Sequence, residues 1–167
     1  LVKRDVIRVV TPGTNLNVQA MDESKNNFLM CIAYFEGKSG ISIVDVTTGD
    51  YYLTEASDTR KLLDEINKYG PSEIVCNDAF FMSGIDVDDL KGRLHIAVYP
   101  LEAHFFDEDK CRRSLLKHFH VTSLQGMGIE DFPAGLIAAG ALMLYLTDTQ
   151  KTDLSHLTHL YPYLTSR

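Results

Sequence analysis

A chain of 167 residues, 45% hydrophobic and 23% charged, has the ordinary composition of a soluble globular protein and is long enough for one domain with its own core. Its net charge of −7 argues against a surface that grips nucleic acid, which needs clustered Lys and Arg. Three widely spaced cysteines (Cys31, Cys76, Cys111) form no C-x-x-C, which excludes a zinc or redox motif and favours a reducing, cytoplasmic setting.

In chain order, Leu1–Thr14 (LVKRDVIRVVTPGT) alternates polar and apolar residues and breaks at Pro12-Gly13, as an extended linker does. It opens within an element and without an initiator Met, which predicts a piece of a larger protein. Asn15–Asn27 is polar and predicts a loop. Phe28–Phe35 (FLMCIAYF) is apolar at consecutive positions, the pattern of a central strand covered on two sides. Gly37–Gly40 predicts a turn. Ile41–Val46 and Tyr51–Thr54 predict strands of a hairpin joined through Thr47-Thr48-Gly49-Asp50, where Gly supplies the positive φ.

Ser57 or Asp58 caps a helix through Tyr69, with Leu62, Leu63, Ile66 and Tyr69 on one face and Gly70-Pro71 as its stop. Glu73–Cys76 predicts a short strand, Asp78–Met82 a short helix, Leu94–Val98 a strand and Leu101–Phe119 a helix with a charged middle. Asp131 is placed to cap a last helix that starts at Phe132-Pro133 and ends near Thr149. That helix is apolar all round, so it must lie between the sheet and another layer. Its uncharged run Phe132–Leu146 is about 15 residues, too short to span a bilayer. Its small residues Gly135, Ala138, Ala139 and Gly140 would admit another backbone. Leu154–Arg167 is expected to run on loosely held. Three strands followed by alternating helices and strands predict an α/β, ribonuclease-H-like three-layer fold. Its mixed sheet has five strands, with helices on both faces.

The candidate motifs favour no chemistry. Gly37-Lys38-Ser39 ends like a phosphate loop, but Ile32 stands where the first Gly belongs and no helix follows. Gly126-Met127-Gly128 has Asp131 where a dinucleotide fingerprint has its third Gly. Asp86, Asp88 and Asp89 lack the Gly and Glu of a calcium loop and read as an acidic turn. Two-metal nucleases on a ribonuclease-H-like fold need several converging acids, the first of them inside the first strand. That strand carries none, and Asp45, Asp64, Glu65 and Asp78 are scattered over later elements, with Asp45 read as stabilising the hairpin. His118 and His120 would face apart on a helix, while His156 and His159 could share a face, a weak metal pair without a third ligand.

Three segments carry a family resemblance: Leu1–Thr14, GISIVDVTTGDYYLTE (Gly40–Glu55), and AAGALMLYLTDTQKTDLSHL from Ala138 onward. In that order they resemble the bacterial MutS DNA mismatch-repair family, where the mismatch-binding domain hands over to the connector domain and the connector to the core. The resemblance implies residues 1–14 as the tail of the first domain, 15–150 as the connector (domain II) and 151–167 as the lead into the core. It implies a connector that relays between mismatch binding and ATP hydrolysis and docks the MutL partner. The resemblance places the Phe-x-Glu wedge in the first domain, ahead of these residues (the triplet Phe106-Asp107-Glu108 lies well inside the connector), and no Walker A loop occurs here, so the segment itself would hold no cofactor and catalyse nothing. ATP and Mg would belong to the full-length protein, a homodimer meeting mismatched DNA mainly through other domains. By the same resemblance, Asp148, Thr149, Gln150 and Lys151, at the end of the last helix, are candidates for the partner surface. The competing expectations are a metal-dependent nuclease with Asp45 at its centre and a standalone protein-binding module.

Overall fold

The first strand, β1 (Leu29–Phe35), has consecutive apolar residues because both of its faces are covered. Leu29, Cys31 and Ala33 enter one core cluster, Met30 and Ile32 the other. This computed structural model describes residues 27–149 and 153–165; the expectations for Leu1–Thr14, for the loop as far as Asn26, and for Gln150 and Lys151 lie outside the described residues. After β1 the chain reverses through Glu36 and Gly37, both at positive φ (49° and 95°), and returns antiparallel as β2 (Lys38–Asp45). The turn is therefore Glu36-Gly37. Gly40, expected in it, pairs with Ala33 inside β2. The second hairpin leads to β3 (Asp50–Ala56), antiparallel to β2, with Gly49 at φ 87° as expected.

Helix α1 (Thr59–Tyr69) starts where the Asp58 carboxylate accepts the Lys61 N–H and stops at Gly70 in the left-handed region. The chain then crosses to β4 (Glu73–Cys76), a 3-10 turn at Asp78–Met82, a short α2 (Val87–Gly92) and β5 (Ala97–Pro100). A second 3-10 turn (Ala103–Phe106) precedes α3 (Glu108–Phe119), followed by α4 (Pro133–Thr149) and a two-residue β6 (Tyr161–Pro162). The strand order among the described residues is β5-β4-β1-β2-β3-β6, with β1, β4 and β5 mutually parallel. This is the expected mixed α/β sheet with helices on both faces, with six strands among the described residues where five were expected. Helices α1 and α2 cover one face, α3 and α4 the other.

Helix α4 lies between the sheet and α3, as its uniform apolarity requires. Its small residues permit this: a Cβ on Gly140 would lie 2.3 Å from the Cβ of Cys111 in α3. Its N-terminus is not capped by Asp131. The Glu55 carboxylate of β3 accepts the Ala134 and Gly135 N–H groups at 2.7 and 3.2 Å, and Lys38 holds its other oxygen at 3.2 Å. The helix starts directly over the sheet, within reach of a strand side chain, whereas Asp131 sits exposed in the preceding turn.

Four other expectations are corrected. The acidic run at Asp86–Asp89 opens α2: Asp86 caps it and Asp88 and Asp89 occupy its first turn, favourable at the positive end of the helix dipole. The strand expected at Leu94–Val98 begins at Ala97, because His95 adopts φ 57° as the chain leaves α2. The single helix expected over Leu101–Phe119 is broken by extended Asp107, whose carboxylate caps α3 through the Lys110 N–H.

Residues 157–163, after α4, are not loosely held. Leu157 and Leu160 are buried, β6 adds a sixth strand parallel to β3, and the Tyr163 N–H bonds the Leu53 carbonyl at 3.1 Å. The Tyr163 hydroxyl donates to Glu65 of α1, a carboxylate only 2% exposed. Burial, and then this bond, hold the Tyr163 hydroxyl protonated far above the ordinary tyrosine range. Tyr163→Phe is expected to cost about 2 kcal/mol by leaving the buried Glu65 carboxylate with only Lys68, 4.0 Å away. The loss should appear as faster amide hydrogen exchange confined to residues 157–163.

Candidate functional site

The acids that would serve a nuclease do not converge. Asp45, at the end of β2, is wholly buried and its carboxylate is filled by protein donors: the N–H groups of Asn27 (3.2 Å), Thr47 (2.9 Å) and Thr48 (3.4 Å), and the Thr47 hydroxyl. Glu65 is buried on α1 against Tyr163, while Asp64 and Asp78 point to solvent from different elements. Among the described residues no group of three His, Cys, Asp or Glu side chains is arranged to hold a metal.

The histidines fasten the chain to itself. His118 Nε2 donates to the Leu157 carbonyl at 2.7 Å, and His156 Nε2 donates to the Val46 carbonyl. His159 stacks on Tyr161 with ring centroids 5.5 Å apart. His156 and His159 therefore diverge, because their segment is not helical and gives them no common face. All three cysteines are buried and free; burial pushes the Cys76 and Cys111 thiols up to about 12 and that of Cys31 well above the normal range. None offers a thiolate near neutral pH.

The exposed polar end of α4 is the remaining candidate. Asp148 is exposed there, and the half-buried Thr149 turns its hydroxyl back to the Tyr145 carbonyl at 2.9 Å. Of the predicted partner residues, Asp148 alone presents a free charged group among those described. Beside it a groove of about 730 Å³ runs between α3, the end of α4 and residues 153–155. Its floor is aliphatic, from Met143, Leu144 and Leu154; one wall is the Lys110, Arg113 and Lys117 face of α3.

The chain matches the family model described as MutS domain II over residues 27–158. It is 56% identical to the DNA mismatch repair protein MutS of Lachnoclostridium phytofermentans over all 167 residues, 18% of that protein's length. The chain belongs to the MutS family. It is 39% identical to the MutS proteins of Ruminiclostridium cellulolyticum and Acetivibrio thermocellus, in each case over 98% of the chain and 19% of the relative. It thus spans under a fifth of the MutS relatives it matches. In this MutS domain, sequence reasoning missed the basic groove. The signal was present, since Lys110, Arg113 and Lys117 recur at helical spacing. No helix of the described residues is long and apolar enough to cross a membrane.

Proposed function

We propose that this chain is the connector of a MutS protein, a non-catalytic body that relays between mismatch binding and ATP hydrolysis and docks MutL at the end of α4. Residues 15–150 make up the body of the connector, 1–14 the tail of the mismatch-binding domain and 151–167 the lead into the core; β6 of that lead stays seated beside β3 on the connector sheet. ATP, Mg and contact with mismatched DNA belong to the rest of a homodimeric, cytoplasmic protein. The observation that carries this reading is where the buried polar groups go. The buried Asp45 and Glu65 and the half-buried His118 are spent on internal bonds, and Ser39 Oγ is the one buried side-chain polar atom without a partner among the described residues. A domain that spends its acids on its own turns and crossings is built to move as one body. Its α4, packed on three strands and on α3, gives that body a stiff axis ending at Asp148.

The test is charge reversal in the full-length protein. Asp148→Lys is expected to weaken MutL recruitment to mismatch-bound protein about tenfold, since a like charge at an interface rim repels its former partner. Mismatch affinity and ATP turnover should stay unchanged. Recruitment equal to wild type would overturn the docking site.

A further inference from the structure

The groove beside Asp148 has a composition that selects its occupant. Lys110, Arg113 and Lys117 are exposed on one stripe of α3, and none has an acidic partner among the described residues. Their neighbour Arg112 differs: it is taken by Glu130 at 2.8 Å and Glu108 at 3.6 Å, on the other side of the helix. Among the described residues the one carboxylate at the groove, Asp153, is occupied by the Ser155 hydroxyl and N–H at 2.9 and 3.0 Å. These bonds hold it below the ordinary carboxylate range. Three unpaired cations thus face an aliphatic floor, in a chain whose net charge is −7.

We infer that the groove receives an acidic segment of the MutL partner, with at least one aliphatic side chain seated on Met143, Leu144 and Leu154 and its carboxylates over the α3 stripe. This rests on the docking reading above and adds the chemistry of the partner. Charge complementarity sets the sign of the segment and steers its approach. The aliphatic floor favours an apolar side chain over a nucleic-acid strand, whose backbone would call for more cations than the α3 stripe supplies. Asp148 lies outside the groove and calls for a cation, so the matching surface on MutL carries both signs: a basic residue opposite α4 and an acidic segment opposite α3.

Three variants of the full-length protein separate these statements. Lys110→Glu, Arg113→Glu and Lys117→Glu together remove the positive wall. Thr147→Trp, at an exposed position lining the groove, fills it without changing charge. Asp148→Lys tests docking as such. MutL binding to mismatch-bound protein is measured at about 0.05 M and about 0.3 M salt. Wild type should lose affinity across this range. The triple reversal should bind at least tenfold more weakly at low salt and show little further loss at high salt. Thr147→Trp should weaken binding at both, with the wild-type salt dependence kept. If the triple reversal and Thr147→Trp bind MutL as wild type while Asp148→Lys does not, the groove is empty in the complex and the inference falls, with docking intact. If all three bind as wild type, both fall. A triple reversal that weakens mismatch-DNA affinity but not MutL binding makes the groove a phosphate contact and overturns the inference.

Discussion

Gly40→Ala is expected to destabilise the chain by about 3 kcal/mol, the upper range for overpacking a close contact. Gly40 lies within β2, under the first turn of α4. A Cβ there would fall 1.9 Å from the Ala134 carbonyl oxygen and 2.8 Å from the Gly135 nitrogen. Both neighbours are backbone, so no rotamer change relieves the clash. The helix end cannot simply lift away, because the Ala134 and Gly135 N–H groups are held by Glu55 of the adjacent strand. Retreat would break that cap and open the sheet–helix contact together. The control is Gly92→Ala, where an added Cβ meets nothing within 4 Å and φ is not positive. It should be neutral or slightly stabilising. Thermal unfolding of the two variants side by side checks this: a fall of roughly 6–12 °C is expected for Gly40→Ala alone. Equal midpoints would mean that α4 does not approach the strand this closely.

The parts of the fold that local pattern decides were legible in the sequence. Consecutive apolar residues in β1 announced a strand covered on both faces, and the uniform apolarity of α4 announced a buried helix whose glycines admit a neighbour. What escaped was decided by pairs far apart in the chain. The α4 cap joins residues 79 apart, Glu55 and Ala134, whereas the capping rule that pointed to Asp131 sees only neighbours. The seat of β6 depends on Tyr163 meeting Glu65, 98 residues earlier, and nothing in a two-residue strand betrays its partner. Helix α2 was hidden by brevity, since six residues cannot show a helical period.

The candidate site divides in the same way. Asp148 and Thr149 were named from resemblance, and the structure locates both on the last turn of α4. The groove beside them needed the third dimension. Its cations sit on one helix at visible spacing, but its floor is drawn from α4 and from a segment beyond it. Only packing turns a charged helix face, which by itself is ordinary solvated surface, into one wall of an apolar cleft.

Asp45 is where stability and chemistry can be told apart by one substitution. A catalytic acid is poised toward solvent and substrate; this carboxylate is fully buried and meets backbone donors from Thr47 and Thr48 of the hairpin turn and from Asn27. Asp45→Ala would leave those partly buried N–H groups without their acceptor, an expected loss of about 2 kcal/mol. Asp45→Asn keeps one carbonyl oxygen for Thr47 but sets an amide N–H₂ against N–H donors, so about half that loss is expected. Urea unfolding of the three proteins should therefore rank wild type above Asn above Ala. A metal-dependent nuclease demands the opposite signature: cleavage of nucleic acid by wild type in Mg²⁺ or Mn²⁺, lost in Asp45→Asn with little change in stability. The expected result is no cleavage by any of the three and a graded loss of stability. The hydrogen bonds that fix the turn occupy the lone pairs a cation would need, so the same geometry that makes Asp45 indispensable to the hairpin removes it from catalysis.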